Sequence, residues 1–172
     1  GKKYLVTSVS FQLSQKASLS FAYSDLENYF RDRKIEKNVV SPEDIRSAVL
    51  FLRDSKLPSL SKFATAGCFF KNPFVPLDDF ARMLDDFPSI PHFGGYHGMV
   101  KIPAGFLVEK SGNWKGMRRG EVGVYDKHTL VLVNHGSAKA KEINALAKEI
   151  VDAVREKFGV TLELEVNLIG EF

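Results

Sequence analysis

From Ser137 to Phe158 the apolar side chains Ile143, Leu146, Ala147, Ile150, Val151, Val154 and Phe158 recur three and four residues apart. That spacing predicts an amphipathic helix with one buried stripe. Gly159 is its expected stop, since glycine takes left-handed backbone at a helix C-terminus without a Cβ penalty. Immediately afterwards the period changes to two. Leu162, Leu164, Val166 and Leu168 fall on one face of a predicted strand over 160–169, with Glu163, Glu165 and Asn167 on the other. A helix and a strand that each carry one apolar face bury both only in a layered fold. Helical and strand patterns alternate along the rest of the chain as well, so the fold class expected is α+β, with mixed layers.

The chain begins with another alternating stretch. Leu5, Val9, Phe11 and Leu13 share a face, with Thr7 among them, in a predicted strand over 4–13. A chain that starts on such a strand, with no initiating Met, is expected to be a piece of something longer. A short helix through Tyr29 and Phe30 follows, with Ser24 or Asp25 as its cap. Tyr23, just ahead of that cap, suits either a hydrophobic staple or a ligand contact. Ser41-Pro42-Glu43-Asp44 is a strong helix start, and Ile45, Ala48, Val49 and Leu52 mark its inward face. Arg53 and Lys56 lie in the last turn before Pro58, where cations complement the helix dipole. Pro76 opens a further helix with Leu77, Phe80, Leu84 and Phe87 inward, closed by Pro88. Residues 91–98 read as a glycine-rich loop, and Pro103 opens a helix over 103–110. Residues 122–125 and 129–133 read as strands on either side of Asp126-Lys127-His128.

Net charge is only +3 and the basic residues are interspersed with acids, so nucleic acid is not an expected partner. No apolar run approaches the roughly 18–20 residues of a membrane span. No signal-peptide pattern is visible at the N-terminus, and a single cysteine fits a reducing compartment. A cytoplasmic protein without a membrane partner is expected. Phosphate-cradling glycine motifs, C-x-x-C and H-E-x-x-H are absent from the sequence. His92 and His97 stand five apart without acidic or cysteine companions, so no metal site is expected.

Chemistry concentrates instead in Ala66-Gly67-Cys68-Phe69-Phe70-Lys71-Asn72-Pro73, which reads as a buried strand with polar members at its end. A lone cysteine in an apolar run is commonly a small core hydrophobe. A free thiol has a pKa of about 8.5, so near neutrality it is a poor nucleophile but a competent proton donor. Cys68 with His128 forms a formal nucleophile pair, and Glu165, otherwise a solvated strand residue, is the group that would orient the thiol or a water.

Four stretches carry a resemblance when taken in order: Ala66 to Pro73, Lys101-Ile102-Pro103-Ala104-Gly105-Phe106-Leu107-Val108-Glu109-Lys110, Lys127-His128-Thr129-Leu130-Val131-Leu132-Val133-Asn134 and Leu162-Glu163-Leu164-Glu165-Val166-Asn167-Leu168-Ile169-Gly170. Over essentially its whole length the chain resembles the C-terminal half of the UDP-N-acetylenolpyruvoylglucosamine reductases, flavoenzymes of peptidoglycan synthesis. The resemblance implies a layered substrate-binding domain over 58–159. Residues 1–57 would then be the end of an α+β flavin-binding domain, and 160–172 a strand returning to it. It implies FAD as cofactor, NADPH as co-substrate and UDP-N-acetylglucosamine enolpyruvate as substrate, with UDP-N-acetylmuramate as product.

By the same resemblance Cys68 takes the place of the family's proton donor, usually serine, and Glu165 that of its catalytic glutamate. Tyr23, Lys56, Asn72 and His128 fall where members hold the diphosphate and nucleotide end. Tyr23 also suits the subgroup that closes a tyrosine-bearing loop over the substrate. Asn167 stands where many members have an arginine near the flavin. The main FAD site would belong to a preceding half, so the cofactor-binding residues are not identified within this chain, and alone it would be inactive. Two rival expectations are a non-catalytic UDP-sugar or nucleotide-binding module and a Cys68–His128 hydrolase or transferase.

Overall fold

The computed structural model describes residues 6–14, 19–21 and 23–170. These divide into two compact units, Gly1–Leu52 and Arg53–Phe172. Tyr4, Leu5, Ala22 and much of the turn expected over 14–19 lie outside the described residues.

In the first unit, α1 (Ser24–Asp32) starts one residue after Tyr23, which holds the N-cap position without a side-chain capping bond to the helix. Neither Ser24 nor Asp25 is therefore the cap. Ser41 does cap α2 (Pro42–Lys56): its hydroxyl accepts the Asp44 main-chain N–H at 3.1 Å, and the Asp44 carboxylate accepts the Ser41 N–H at 2.9 Å. Leu26, Phe30, Val40 and Ala48 form this unit's core, with Ile45 and Leu52 packed on it. Phe30 meets Phe21 and Tyr29 edge to face, at 5.7 and 5.2 Å between centroids. Residues 6–13 form no strand and are exposed. Their alternation supplies a face, but a strand also needs a ladder partner, and none pairs with them among the described residues.

The second unit is built on two small antiparallel sheets. In the first, β1 (Phe74–Pro76) and β2 (Phe93–Tyr96) flank β3 (Met99–Lys101). The glycine-rich segment expected as a loop is thus largely a hairpin. His97 and Gly98, at φ 49° and 73°, make its two-residue turn, with both central residues in the left-handed region that matches strand twist. Helix α3 (Leu77–Asp86) follows β1 and buries Phe80 and Met83, while Leu77 stays exposed.

The second sheet joins β4 (Arg118–Arg119), β5 (Val122–Val124) and β6 (Leu132–Asn134). Helix α5 (Ala140–Phe158) packs on both this sheet and α4 (Ala104–Ser111). The α5 stripe matches its spacing: Leu146, Ala147, Ile150 and Val154 are buried, against Leu107 and Val108 of α4 in one continuous core. Gly159 ends the helix at φ 68°. These helices and small antiparallel sheets make an α+β fold. No helix of the described residues is long and apolar enough to cross a membrane.

Two expected strands are not regular. Cys68 bridges Val131, whereas Phe70 bridges Leu164, so the 66–73 segment changes partner within three residues. Gly67 at φ 81° turns the backbone just before it. The 160–169 segment keeps its alternation, with Leu162 buried and Glu163, Glu165 and Asn167 exposed, but makes only the bridge at Leu164. Its partner, the Cys68–Phe70 stretch, is shared with the Leu130–Val131 segment.

Candidate active site around Cys68

The site is assembled by the main chain of Phe69. Its N–H donates to the Leu130 carbonyl at 2.8 Å, and its own carbonyl accepts the Glu165 N–H at 2.9 Å. One residue thereby fastens the segment carrying His128 on one side and the segment carrying Glu165 on the other. Lys71 repeats the arrangement one step on, donating its N–H to the Glu163 carbonyl at 2.8 Å, while its ammonium pairs with the Glu163 carboxylate at 2.9 Å. Cys68 is left exposed rather than buried, opening onto a cleft of ≈ 670 Å³ that Lys71, Asn72, Lys101, Glu163 and Glu165 also line.

Burial around the sulfur pushes the Cys68 thiol above its ordinary pKa, and the negative charge of Glu165 adds to the effect. Both causes favour the protonated form. His128 moves the other way: burial lowers its pKa first, and the positive charges of Lys56 and Lys115 lower it further. Its ring is therefore neutral near pH 7. The Cys68 Sγ and His128 Nε2 stand 4.0 Å apart.

One tautomer follows from the contact with the main chain. Leu130 N–H donates to His128 Nδ1 at 3.2 Å. A main-chain N–H can only donate, so Nδ1 carries the lone pair and the single proton of the neutral ring sits on Nε2, facing the sulfur. The same nitrogen cannot accept a proton from Cys68. This geometry opposes a thiolate–imidazole nucleophile, which needs a depressed thiol pKa and a free basic nitrogen.

Asn72 has a local task. Its Oδ1 accepts the Ala104 N–H at 2.8 Å, capping α4 where Pro103 has no side-chain oxygen to offer. With the oxygen engaged there, the amide NH₂ of Asn72 is the group left for the cleft. Lys56, the last residue of α2, is exposed, and its charge is felt at His128. The second unit thus gathers Cys68, Asn72, His128, Glu165 and the Lys56 charge around neighbouring positions. Tyr23 belongs to the first unit, where it precedes α1 and is exposed.

Sequence spacing missed two participants. Lys101 lines the cleft and holds its ammonium 5.5 Å from the Phe74 ring centroid; its place two residues ahead of Pro103, inside a singled-out stretch, was the only signal. The Leu130 N–H that selects the tautomer of His128 is a main-chain donor and leaves no trace in residue types. Among the described residues no group of His, Cys, Asp and Glu is placed to hold a metal ion.

Comparison with known proteins identifies the family. Residues 59–169 match the family model of the UDP-N-acetylenolpyruvoylglucosamine reductase C-terminal domain. The UDP-N-acetylenolpyruvoylglucosamine reductase of Chromobacterium violaceum is 41% identical over 163 residues, covering 95% of this chain and 47% of that protein. The Porphyromonas gingivalis enzyme of the same name is 41% identical over 167 residues, 97% of this chain and 48% of its own length. That of Xylella fastidiosa is 37% identical over 169 residues, 98% of this chain and 47% of its own. The chain spans about half the length of the curated relatives it matches. With the family model spanning the whole Cys68 cleft, from the loop before it to Glu165 beyond, the chain belongs to the UDP-N-acetylenolpyruvoylglucosamine reductase family, of which residues 59–169 are the C-terminal domain.

Proposed function

We propose that this chain is the substrate-binding half of an FAD-dependent, NADPH-using cytoplasmic reductase. The enzyme would convert UDP-N-acetylglucosamine enolpyruvate to UDP-N-acetylmuramate for peptidoglycan synthesis. Family membership supports the reaction. The observation that carries this chain's part in it is the placement of the Cys68 thiol in one cleft with Glu165, whose charge, after burial, helps raise the thiol above its ordinary pKa. A reduction that adds hydride to a carbon–carbon double bond leaves a carbanion or enol that must take up a proton, and Cys68 is the donor. Glu165 keeps the thiol protonated beforehand and orients the water that restores it.

Lys56 and the Asn72 amide, together with Tyr23 and His128, hold the diphosphate and nucleotide end. A dianion is well served by a lysine point charge and neutral donors. Residues 1–57 complete the flavin-binding domain, 58–159 bind substrate, and 160–172 return to the flavin domain. A flavin dinucleotide is not fitted by this chain alone. No run of glycines opens a helix among the described residues. The flavin site belongs to a preceding half, without which the chain is inactive.

The test joins the chain to such a half and follows the two half-reactions. Cys68→Ala should slow product formation by at least 100-fold while flavin reduction by NADPH changes less than twofold. Equal slowing of both steps, or an unaltered product rate, removes Cys68 from its role. Binding of the UDP-sugar with no NADPH oxidation at all would favour a non-catalytic nucleotide-binding module.

A further inference from the structure

His128 lies in a stretch that resemblance assigns to the substrate's nucleotide end, yet its ring is held against the thiol by the chain's own backbone. Residues 125–131 fold into consecutive tight turns. His128 N–H donates to the Tyr125 carbonyl at 3.3 Å, Val131 N–H to the His128 carbonyl at 3.0 Å, and Tyr125 N–H to the Val131 carbonyl at 2.8 Å. Inside this knot Leu130 N–H occupies Nδ1, so the ring is fixed at one nitrogen and presents an N–H at the other. The bridge between Cys68 and Val131 brings the sulfur to that N–H.

We propose that His128 is a positioning residue for the proton donor: its fixed Nε2–H is directed at Cys68 Sγ, turns the thiol proton toward the cleft, and stabilises the sulfur's negative charge once that proton has left. This rests on the reductase reading given above. The step is a simple proton transfer. The S–H bond breaks and its electron pair stays on sulfur. A C–H bond forms from the carbanion pair that hydride addition placed on the substrate carbon, and water reprotonates the thiolate afterwards. As charge develops on sulfur, the 4.0 Å contact becomes a charge-assisted hydrogen bond, which is shorter and stronger than a neutral one. The charged groups that act on the pair are Glu165 at the thiol and Lys56 and Lys115 at the ring. The lysines resist a second proton on His128, so it remains a donor at Nε2 without becoming a general acid.

Two measurements on the chain, without substrate or reductant, test this. Long-range proton–nitrogen NMR of the wild-type chain should find His128 as the neutral Nε2–H tautomer at pH 7 to 8. A neutral Nδ1–H tautomer, or a doubly protonated ring, would overturn the proposal. The second is the pH profile of iodoacetamide alkylation, unambiguous because Cys68 is the only cysteine. His128→Phe should raise the apparent thiol pKa by about half a unit or more, slowing alkylation roughly threefold below it, since the rate follows the thiolate fraction. His128→Gln, whose amide supplies an N–H again, should recover most of that shift. If Phe and Gln behave alike, or neither differs from wild type, ring orientation is irrelevant to the thiol and the proposal fails. Should His128→Phe not fold, the NMR tautomer decides by itself. Failure here leaves the reductase reading intact, whereas loss of turnover in the joined enzyme with this thiol profile preserved would overturn the reading alone.

Discussion

Asn72 caps α4 from another part of the chain, its Oδ1 accepting the Ala104 N–H at 2.8 Å across a separation of 32 residues. One side chain thus serves a helix with its oxygen and faces the cleft with its nitrogen. The two functions separate by substitution. Asn72→Ala should lose about 1 kcal/mol of stability in urea denaturation, as for other lost caps. Asn72→Asp keeps an acceptor for Ala104 and should retain most of that stability. It replaces the amide NH₂ by a negative charge, however, so UDP-sugar affinity measured by titration calorimetry should fall at least 10-fold. Equal affinity for the wild type and the Asp variant would exclude Asn72 from diphosphate binding.

His128 makes stability depend on pH in a predictable direction. Its pKa in the folded chain is depressed, by burial first and then by Lys56 and Lys115. Above the unfolded histidine value of about 6.5 both states are neutral there and nothing is lost. Below it the unfolded chain takes up the proton more readily, so folding stability declines toward the folded value. Wild type should therefore lose more stability than His128→Gln between about pH 7 and 5.5, in paired denaturation curves. Parallel curves would show that the ring is not desolvated.

Glu165 acts on the thiol through its charge. Glu165→Gln removes the second of the two causes that raise the Cys68 pKa and leaves burial, the larger one, in place. Alkylation at pH 8 should accelerate about two- to threefold, in proportion to the thiolate fraction, while the profile still lies above that of a free thiol. A slower reaction would mean that Glu165 supports the thiolate.

The helical layer depends on Ile150, which is wholly buried where α5 meets the core. Truncation to alanine removes several methyl and methylene groups and leaves a cavity in that core. A cost of about 3 kcal/mol is expected. Thermal denaturation should show this as a clear fall in midpoint, and a change within error would mean that α5 is not part of the cooperative core.

Local features were the most legible in the sequence. The α5 stripe, the Gly159 stop and the Ser41 cap each depend on neighbours within one or two turns, so spacing alone located them. Pairing was much less legible. The alternation of Leu162, Leu164 and Val166 specifies a face, but nothing in it says that only Leu164 meets a partner. In the β2–β3 hairpin, Gly94 and Gly95, followed by His97 and Gly98 at positive φ, concealed a strand inside what composition reads as loop. At the site, resemblance rather than spacing gave Lys56 and Asn72 their roles, whereas Glu165 was already marked by its place on the polar face of the last strand. The double use of Asn72 and the tautomer of His128 depend on the main-chain donors of Ala104 and Leu130, which every sequence contains equally.

The backbone clasp at Phe69 bears on how such a site can change over time. Since the peptide groups of Phe69, Leu130 and Glu165 establish the spacing, the atom presented at position 68 can vary without disturbing the main-chain clasp. Oxygen and sulfur then become interchangeable tips on one rigid mount. A lineage can exchange a hydroxyl for a more acidic thiol by a single substitution, altering the pH at which the proton is given up and leaving the architecture untouched.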